Sequence, residues 1–358
     1  MNFLPRPSQR AGERAEQQIN QSGKPRGIFR RGLTGALAAA AALSLSFVPQ
    51  ASPEAQAQSS MGSLSSSAGD LEDLAGIING IVGGLQNGGG GGAGTAPSTD
   101  TRLSERSFTV NGKTRKALVK MPKSGLRSNL PVVFMFGGWQ HDANKARSYA
   151  SLENTAAGDS AIIVYPEPVR STFKGETYPA WGGAPYATNT TRSADVAFFR
   201  QIVSTLASEG KADRNRVYAT GLSNGGGMAL GLGCAAPDLV KGVVGVSGAY
   251  YTPAVSNCVN ASVPTMIIHG TGDDIVNYNG GSRHGASYLS INEVHRQFAA
   301  RNKCDVSKAP SASTKGNITT YRYQGCAVST VVKKVEGGGH TWYPSNPDAA
   351  QESWNFFK

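Results

Sequence analysis

Seven residues, Gly221-Leu222-Ser223-Asn224-Gly225-Gly226-Gly227, restrict the fold of this chain more than any other stretch. An apolar strand candidate, residues 217–220, leads into them, and a small-residue helix candidate, 228–236, leads away. A serine between such a strand and helix sits on a turn so tight that its backbone is strained and its hydroxyl is lifted clear of the sheet. Side chains two residues to either side would strike the adjoining strand and helix. Both positions must therefore be small, and Gly221 and Gly225 are. The helix beginning there leaves its first N–H groups unpaired and turned toward the hydroxyl. A glycine-rich turn with Ser223 as a plain helix cap fits the seven residues alone. The flanking strand and helix favour Ser223 as a nucleophile.

The surrounding pattern agrees with that geometry. Residues 107–110 and 115–121 read as two strands around an Asn111-Gly112 hairpin turn. The run 131–136 is continuously apolar, as a buried central strand requires. Further strands are expected at 161–165, 217–220, 242–246, 265–269 and 328–335, and helices at 143–157 and 194–208. Strands alternating with helices predict a doubly wound, mostly parallel sheet, and the strand–serine–helix turn makes it an α/β-hydrolase fold. Ligands in such sheets bind at the carboxyl ends of the strands. Gly137-Gly138, Ser223 and the segment after His269 would all lie there.

The nucleophile needs an acid and then a histidine later in the chain. Gly270-Thr271-Gly272-Asp273-Asp274 follows the strand that ends near His269, and on chemistry alone either aspartate qualifies. Glu336-Gly337-Gly338-Gly339-His340-Thr341-Trp342 supplies a histidine on a glycine-rich loop after the last strand. His269 reads as structural, near the acid loop, and His141, His284 and His295 stand in no motif. No His/Cys/Asp group has metal spacing, no Gly-x-Gly-x-x-Gly follows a first strand, and the elbow glycines lack a P-loop lysine. Neither a cofactor nor a metal is expected.

From about residue 105 to its end, the chain resembles the secreted esterase family that includes polyhydroxybutyrate depolymerases and feruloyl and acetylxylan esterases. The resemblance rests on Val164-Tyr165-Pro166-Glu167, on Arg216-Val217-Tyr218 with Gly221-Leu222-Ser223, and on Ile268-His269-Gly270-Thr271-Gly272-Asp273. It extends to Ala300-Arg301-Asn302-Lys303-Cys304, Tyr323-Gln324-Gly325-Cys326 and Gly337-Gly338-Gly339-His340-Thr341-Trp342. It implies a Ser223–His340–Asp273 triad, choosing Asp273 over Asp274, and an ester substrate that is feruloylated, acetylated or a polyester. The backbone N–H groups of Gly138 and Asn224 would form the oxyanion hole. An acyltransferase with a sugar or lipid alcohol as acceptor would use the same triad. Three departures bear on substrate: Phe136-Gly137 in place of the usual His-Gly pair, Val276-Asn277-Tyr278 in place of Val-Pro-Tyr, and Tyr343 between Trp342 and Pro344. Trp139, Trp181, Trp342 and Tyr343 lie on loops expected to gather over the nucleophile, as aromatic walls for the acyl group.

Residues 1–57 combine Arg26, Arg30 and Arg31, an apolar run of some 16 residues from Leu33, and Ala55-Gln56-Ala57. That is the layout of a secretory signal peptide, and the run is short for a membrane span. Arg30-Arg31 is compatible with a twin-arginine route as well as the general one. Residues 58–100 are Gly- and Ser-rich and read as a linker with a marginal helix at 70–85, which leaves 101–358 as the catalytic domain. A secreted location follows. The net charge is +11, without a basic run interleaved with aromatics, so nucleic acid is not an expected partner and no membrane span is expected after cleavage. Cys234, Cys258, Cys304 and Cys326 make an even count in an exported chain, which suggests disulfides with three possible connectivities. The family resemblance implies sequential pairing, 234–258 and 304–326.

Overall fold

The computed structural model describes residues 101–358; the expected signal segment 1–57, the expected linker 58–100 and the helix expected at 70–85 lie outside the described residues. The chain begins with a hairpin, β1 (Leu103–Val110) and β2 (Lys113–Lys120), turned at Asn111 and Gly112, both at positive φ. Then come β3 (Leu130–Phe136), α1 (Ala143–Ala150), α2 (Ala156–Ser160), β4 (Ile162–Pro166) and a second hairpin, β5 (Val169–Phe173) and β6 (Glu176–Ala180). The centre of the chain is α3 (Arg192–Ser208), β7 (Ala212–Leu222), α4 (Asn224–Ala235), β8 (Val243–Val246), α5 (Thr252–Val255) and β9 (Thr265–Gly270). The remainder is β10 (Gly281–Arg283), β11 (Ala286–Tyr288), α6 (Ile291–Arg301), β12 (Ser311–Lys315), β13 (Ile318–Arg322), β14 (Thr330–Val335) and α7 (Ala349–Phe357).

Ten strands form one sheet in the order β1-β2-β4-β3-β7-β8-β9-β14-β13-β12. The six from β4 to β14 pair in parallel, and antiparallel hairpins extend both edges. This is the α/β-hydrolase fold. The chain winds outward from β3 to β4 and resumes on the other side of β3 with β7, so the topological switch lies between β3 and β7. Phe136 pairs with Gly221 there, which brings the carboxyl ends of the two strands level. Buried layers cover both faces, as parallel strands demand: Phe134, Phe136, Phe198 and Phe199 on one, Met135, Ile163, Ile268 and Trp354 on the other.

Two expectations need correction. The single helix expected at 143–157 is broken: α1 stops at Ser151, whose φ of 55° is left-handed, and a short 3-10 turn at Leu152–Asn154 precedes α2, capped by Thr155. The elbow strand is longer than 217–220, running from Ala212 to Leu222. The Cys234–Cys258 and Cys304–Cys326 disulfides are both formed, in the sequential pairing.

Candidate active site

Ser223 follows β7 directly and caps α4 with φ 56° and ψ −119°, a conformation L-residues rarely adopt. The glycines around it permit this turn. A Cβ on Gly221 would lie 2.4 Å from Gly225 O, and one on Gly225 would lie 2.2 Å from Phe136 O. Neither position has room for any side chain. The whole of α4 is buried through residue 234, so its first peptide groups are held against the sheet behind Ser223.

The acid–base side comes from loops after β9 and β14. His340 Nδ1 lies 2.8 Å from Asp273 Oδ2. Asp273 accepts further bonds at Oδ1 from Ile275 N (3.0 Å) and Val276 N (2.7 Å). His269 Nε2 stands 2.8 Å from Val276 O and 3.2 Å from Asp273 Oδ2. Because a carbonyl only accepts, that nitrogen carries the proton and donates to both. Burial of Asp273 would push its carboxyl up. The charge of His340, with hydrogen bonds from His269 and His340, outweighs it and holds the group well below the ordinary carboxylate range. Asp274 is exposed. An ionised Asp273 fixes the proton of His340 on Nδ1 and leaves Nε2 as the free base.

Ser223 and His340 line one cleft of about 1150 Å³ including its open mouth, together with Gly138, Trp139 and Trp342. Trp139 stacks on Tyr186 at 4.6 Å between ring centroids, and Tyr186 meets Tyr251 edge-on. Gly138 is packed close to the nucleophile, since a Cβ there would lie 3.5 Å from Ser223 Cβ. Its N–H, expected to serve the oxyanion, donates to His141 Nδ1 at 3.2 Å. Burial lowers the His141 pKa to about 4, which keeps the ring neutral and able to accept.

Two of the expected wall residues are not walls. Trp181 is fully buried among Phe136 and Phe199, behind the Gly137-Gly138 loop. Its N–H donates to Asn224 Oδ1 (2.7 Å), Asn224 Nδ2 donates to its carbonyl (3.3 Å), and its indole Nε1–H donates to Gly137 O (3.0 Å). Trp181 thus ties Asn224, the residue after Ser223, to the Gly137-Gly138 loop. Tyr343 is also buried, with its hydroxyl donating to Gly339 O at 2.8 Å, and it braces the His340 loop. Conversely, sequence reasoning passed over His141, Lys145, Tyr186 and Tyr251, which do line the cleft. His141 alone had a signal, its place three residues after Gly138 on a strand-end loop.

Residues 169–305 match the phospholipase/carboxylesterase family, a span that takes in Ser223 and Asp273 and stops before His340. Feruloyl esterase D of Neurospora crassa is 27% identical over 260 residues, 69% of this chain and 83% of that protein. A probable feruloyl esterase C of Aspergillus terreus is 28% identical over 69% of this chain and 84% of its own length. Among solved structures, acetyl xylan esterase from Aspergillus awamori superposes with a TM-score of 0.51 at 18% identity, covering 71% of this chain and 99% of that one.

Proposed function

From a chain with the α/β-hydrolase fold and relatives among the feruloyl esterases, we propose an exported serine esterase that cleaves carboxylic esters of plant polysaccharides or polyesters through an acyl-enzyme. The observation that carries this reading is the 2.8 Å His340–Asp273 bond in the same cleft as Ser223 on its strained turn. Ser223 Oγ attacks the ester carbonyl while His340 Nε2 takes its proton. The tetrahedral intermediate collapses, the C–O bond to the alcohol breaks, and His340 returns the proton to the departing oxygen. Water then repeats the sequence on the acyl-enzyme. Asp273 stabilises the imidazolium throughout.

The oxyanion is met by Asn224 N–H, at the first turn of α4, and by Gly138 N–H, which exchanges His141 for the oxyanion when substrate arrives. Each such donor contributes on the order of 3 kcal/mol to the transition state. The stacked rings of Trp139 and Tyr186 favour flat aromatic or short acyl groups over long flexible chains. Two disulfides suit an oxidising compartment and support the exported location.

The test is a panel of p-nitrophenyl acetate, butyrate and palmitate, methyl ferulate, acetylated xylan and polyhydroxybutyrate film. Release of free acid from the short, aromatic or polymeric esters, ahead of palmitate, is the expected result. Faster turnover of palmitate would mean a lipase-like site, and transfer of acyl groups to added alcohols without net hydrolysis would mean an acyltransferase.

A further inference from the structure

The cleft is chemically lopsided in a way the triad does not require. Lys145 and Arg283 line it, and among the described residues no aspartate or glutamate does. One wall is formed by Lys145, Ser148 and Tyr149, spaced to fall on the same side of α1, with Ser151 at its C-cap. The aromatic rings of Trp139, Tyr186 and Tyr251 line the cleft as well.

The α1 wall borders the general base. Tyr149 packs on Trp342, two residues beyond His340, with ring centroids 6.2 Å apart. The alcohol half of an ester leaves on the side of that base, because His340 must protonate its oxygen. Lys145 is half-buried at the edge of this wall, and its ammonium forms no ion pair among the described residues. The nearest acid in sequence, Asp142, is turned to the start of α1, where it accepts the Lys145 backbone N–H at 2.7 Å. Ser151 is held at φ 55°, a strained position for serine that ends the helix and leaves Ser151 on the cleft wall. Ser148 Oγ donates to Lys145 O at 2.8 Å, so the donors this wall offers a ligand are the Lys145 ammonium and the Ser151 hydroxyl, which together match an oxygen-rich anion.

We propose that the α1 wall binds the alcohol half of the ester and selects an alcohol that carries a carboxylate. Lys145 pairs with the carboxylate, and the Ser151 hydroxyl donates to an oxygen beside it. Two kinds of molecule have this chemistry: an oligoester of a hydroxy acid cut near its free acid end, and an acylated uronic acid. The inference rests on the esterase reading and narrows it.

Matched substrate pairs test it, with p-nitrophenyl acetate as the reference for esterase activity. The first pair is 3-acetoxybutanoate against its methyl ester. The second is an acetylated methyl galacturonoside against the corresponding galactoside. The expected result is a kcat/KM ratio of about tenfold or more in favour of the anionic member of at least one pair, carried by KM and shrinking as salt rises. The pair that shows it identifies the source. Lys145→Gln should bring that ratio close to one, and Lys145→Arg should keep most of it. If p-nitrophenyl acetate is cleaved but the ratio is one or less in both pairs, or if Lys145→Gln leaves a high ratio untouched, the inference is overturned and the esterase reading survives. If p-nitrophenyl acetate is not cleaved, both fall.

Discussion

Ser223 stands on backbone that has nowhere else to go, whereas His340 stands on a loop joined to its neighbours by hydrogen bonds. On the nucleophile side, the level ends of β3 and β7 and the crowding at Gly221 and Gly225 leave the turn a single path. On the base side, the Asp273 and His340 loops are laced together. Gly272 N donates to Gly338 O (3.0 Å), Gly337 N to Thr271 Oγ1 (2.8 Å), and Ser247 Oγ to Thr341 O (3.0 Å). One side is specified by volume and the other by polar pairing. Added atoms should therefore damage the first most, and lost donors or acceptors the second.

The largest expected effect comes from adding one methyl group. Gly225→Ala places a carbon 2.2 Å from Phe136 O, a backbone atom at the heart of the sheet. Loss of soluble, folded protein on expression is the predicted outcome; a Gly225→Ala protein with wild-type melting would break the volume argument. Ser223→Ala removes an atom instead, so it should fold normally and lose at least about four decades of kcat/KM.

On the base side, Asp273→Asn keeps the volume and changes the tautomer preference of His340. A fall of roughly 10⁴ in kcat is expected with KM little altered, while Asp274→Asn, at an exposed site, should stay within about twofold. Steady-state kinetics on a short p-nitrophenyl ester decides this. The reverse order of damage would move the acid to Asp274 and undo the account of the loop.

Trp181→Phe is the sharper probe, because it keeps most of the ring and deletes one donor. The carbonyl of Gly137 then loses its indole partner, and the oxyanion loop loses one of its ties. A tenfold fall in kcat, with a much smaller change in KM, is expected for a residue that holds the oxyanion loop without touching substrate. A large rise in KM alone would return Trp181 to the role of a binding wall.

How much of this was legible in the sequence follows the same division. The elbow, the central strands and the order Ser223, Asp273, His340 could be read directly, because close packing and chain direction leave marks in residue type. The walls could not. Trp181 and Trp139 look alike in sequence, each on a loop at a strand end. One is fully buried behind the oxyanion loop and the other is half-buried on the cleft, a difference made by the β5–β6 hairpin and the Asn224 clamp. Tyr343 was misplaced for the same reason, since its hydroxyl turns back to Gly339. Ser151 escaped notice because the helix was expected to run unbroken to residue 157. The left-handed turn at Ser151 depends on packing, with no glycine to announce it.

The smallest expected effect is on stability in mild acid. His141, behind Gly138, and His295, on α6, are both buried, and burial lowers each pKa to about 4. In the unfolded chain each would titrate near 6.5. Between those values the unfolded state binds protons that the folded state refuses, so stability falls as pH drops from about 6.5 to 4 and levels off below. Above 6.5 both states are neutral and the effect vanishes. Asp273 behaves oppositely in range: its lowered pKa contributes stability that is lost only below about 3.8, so it should add nothing over this window. His295 makes the cleaner test, since it contacts Tyr323 and Thr330 O and lies outside the cleft. His295→Gln should reduce the loss of stability between pH 7 and 4.5 by about 2 kcal/mol, or roughly 5 °C in Tm for a domain of this size, with activity at pH 7 retained. Equal acid sensitivity in wild type and variant, measured by thermal unfolding across that range, would show that His295 accepts its proton in the folded protein and that burial does not hold it neutral.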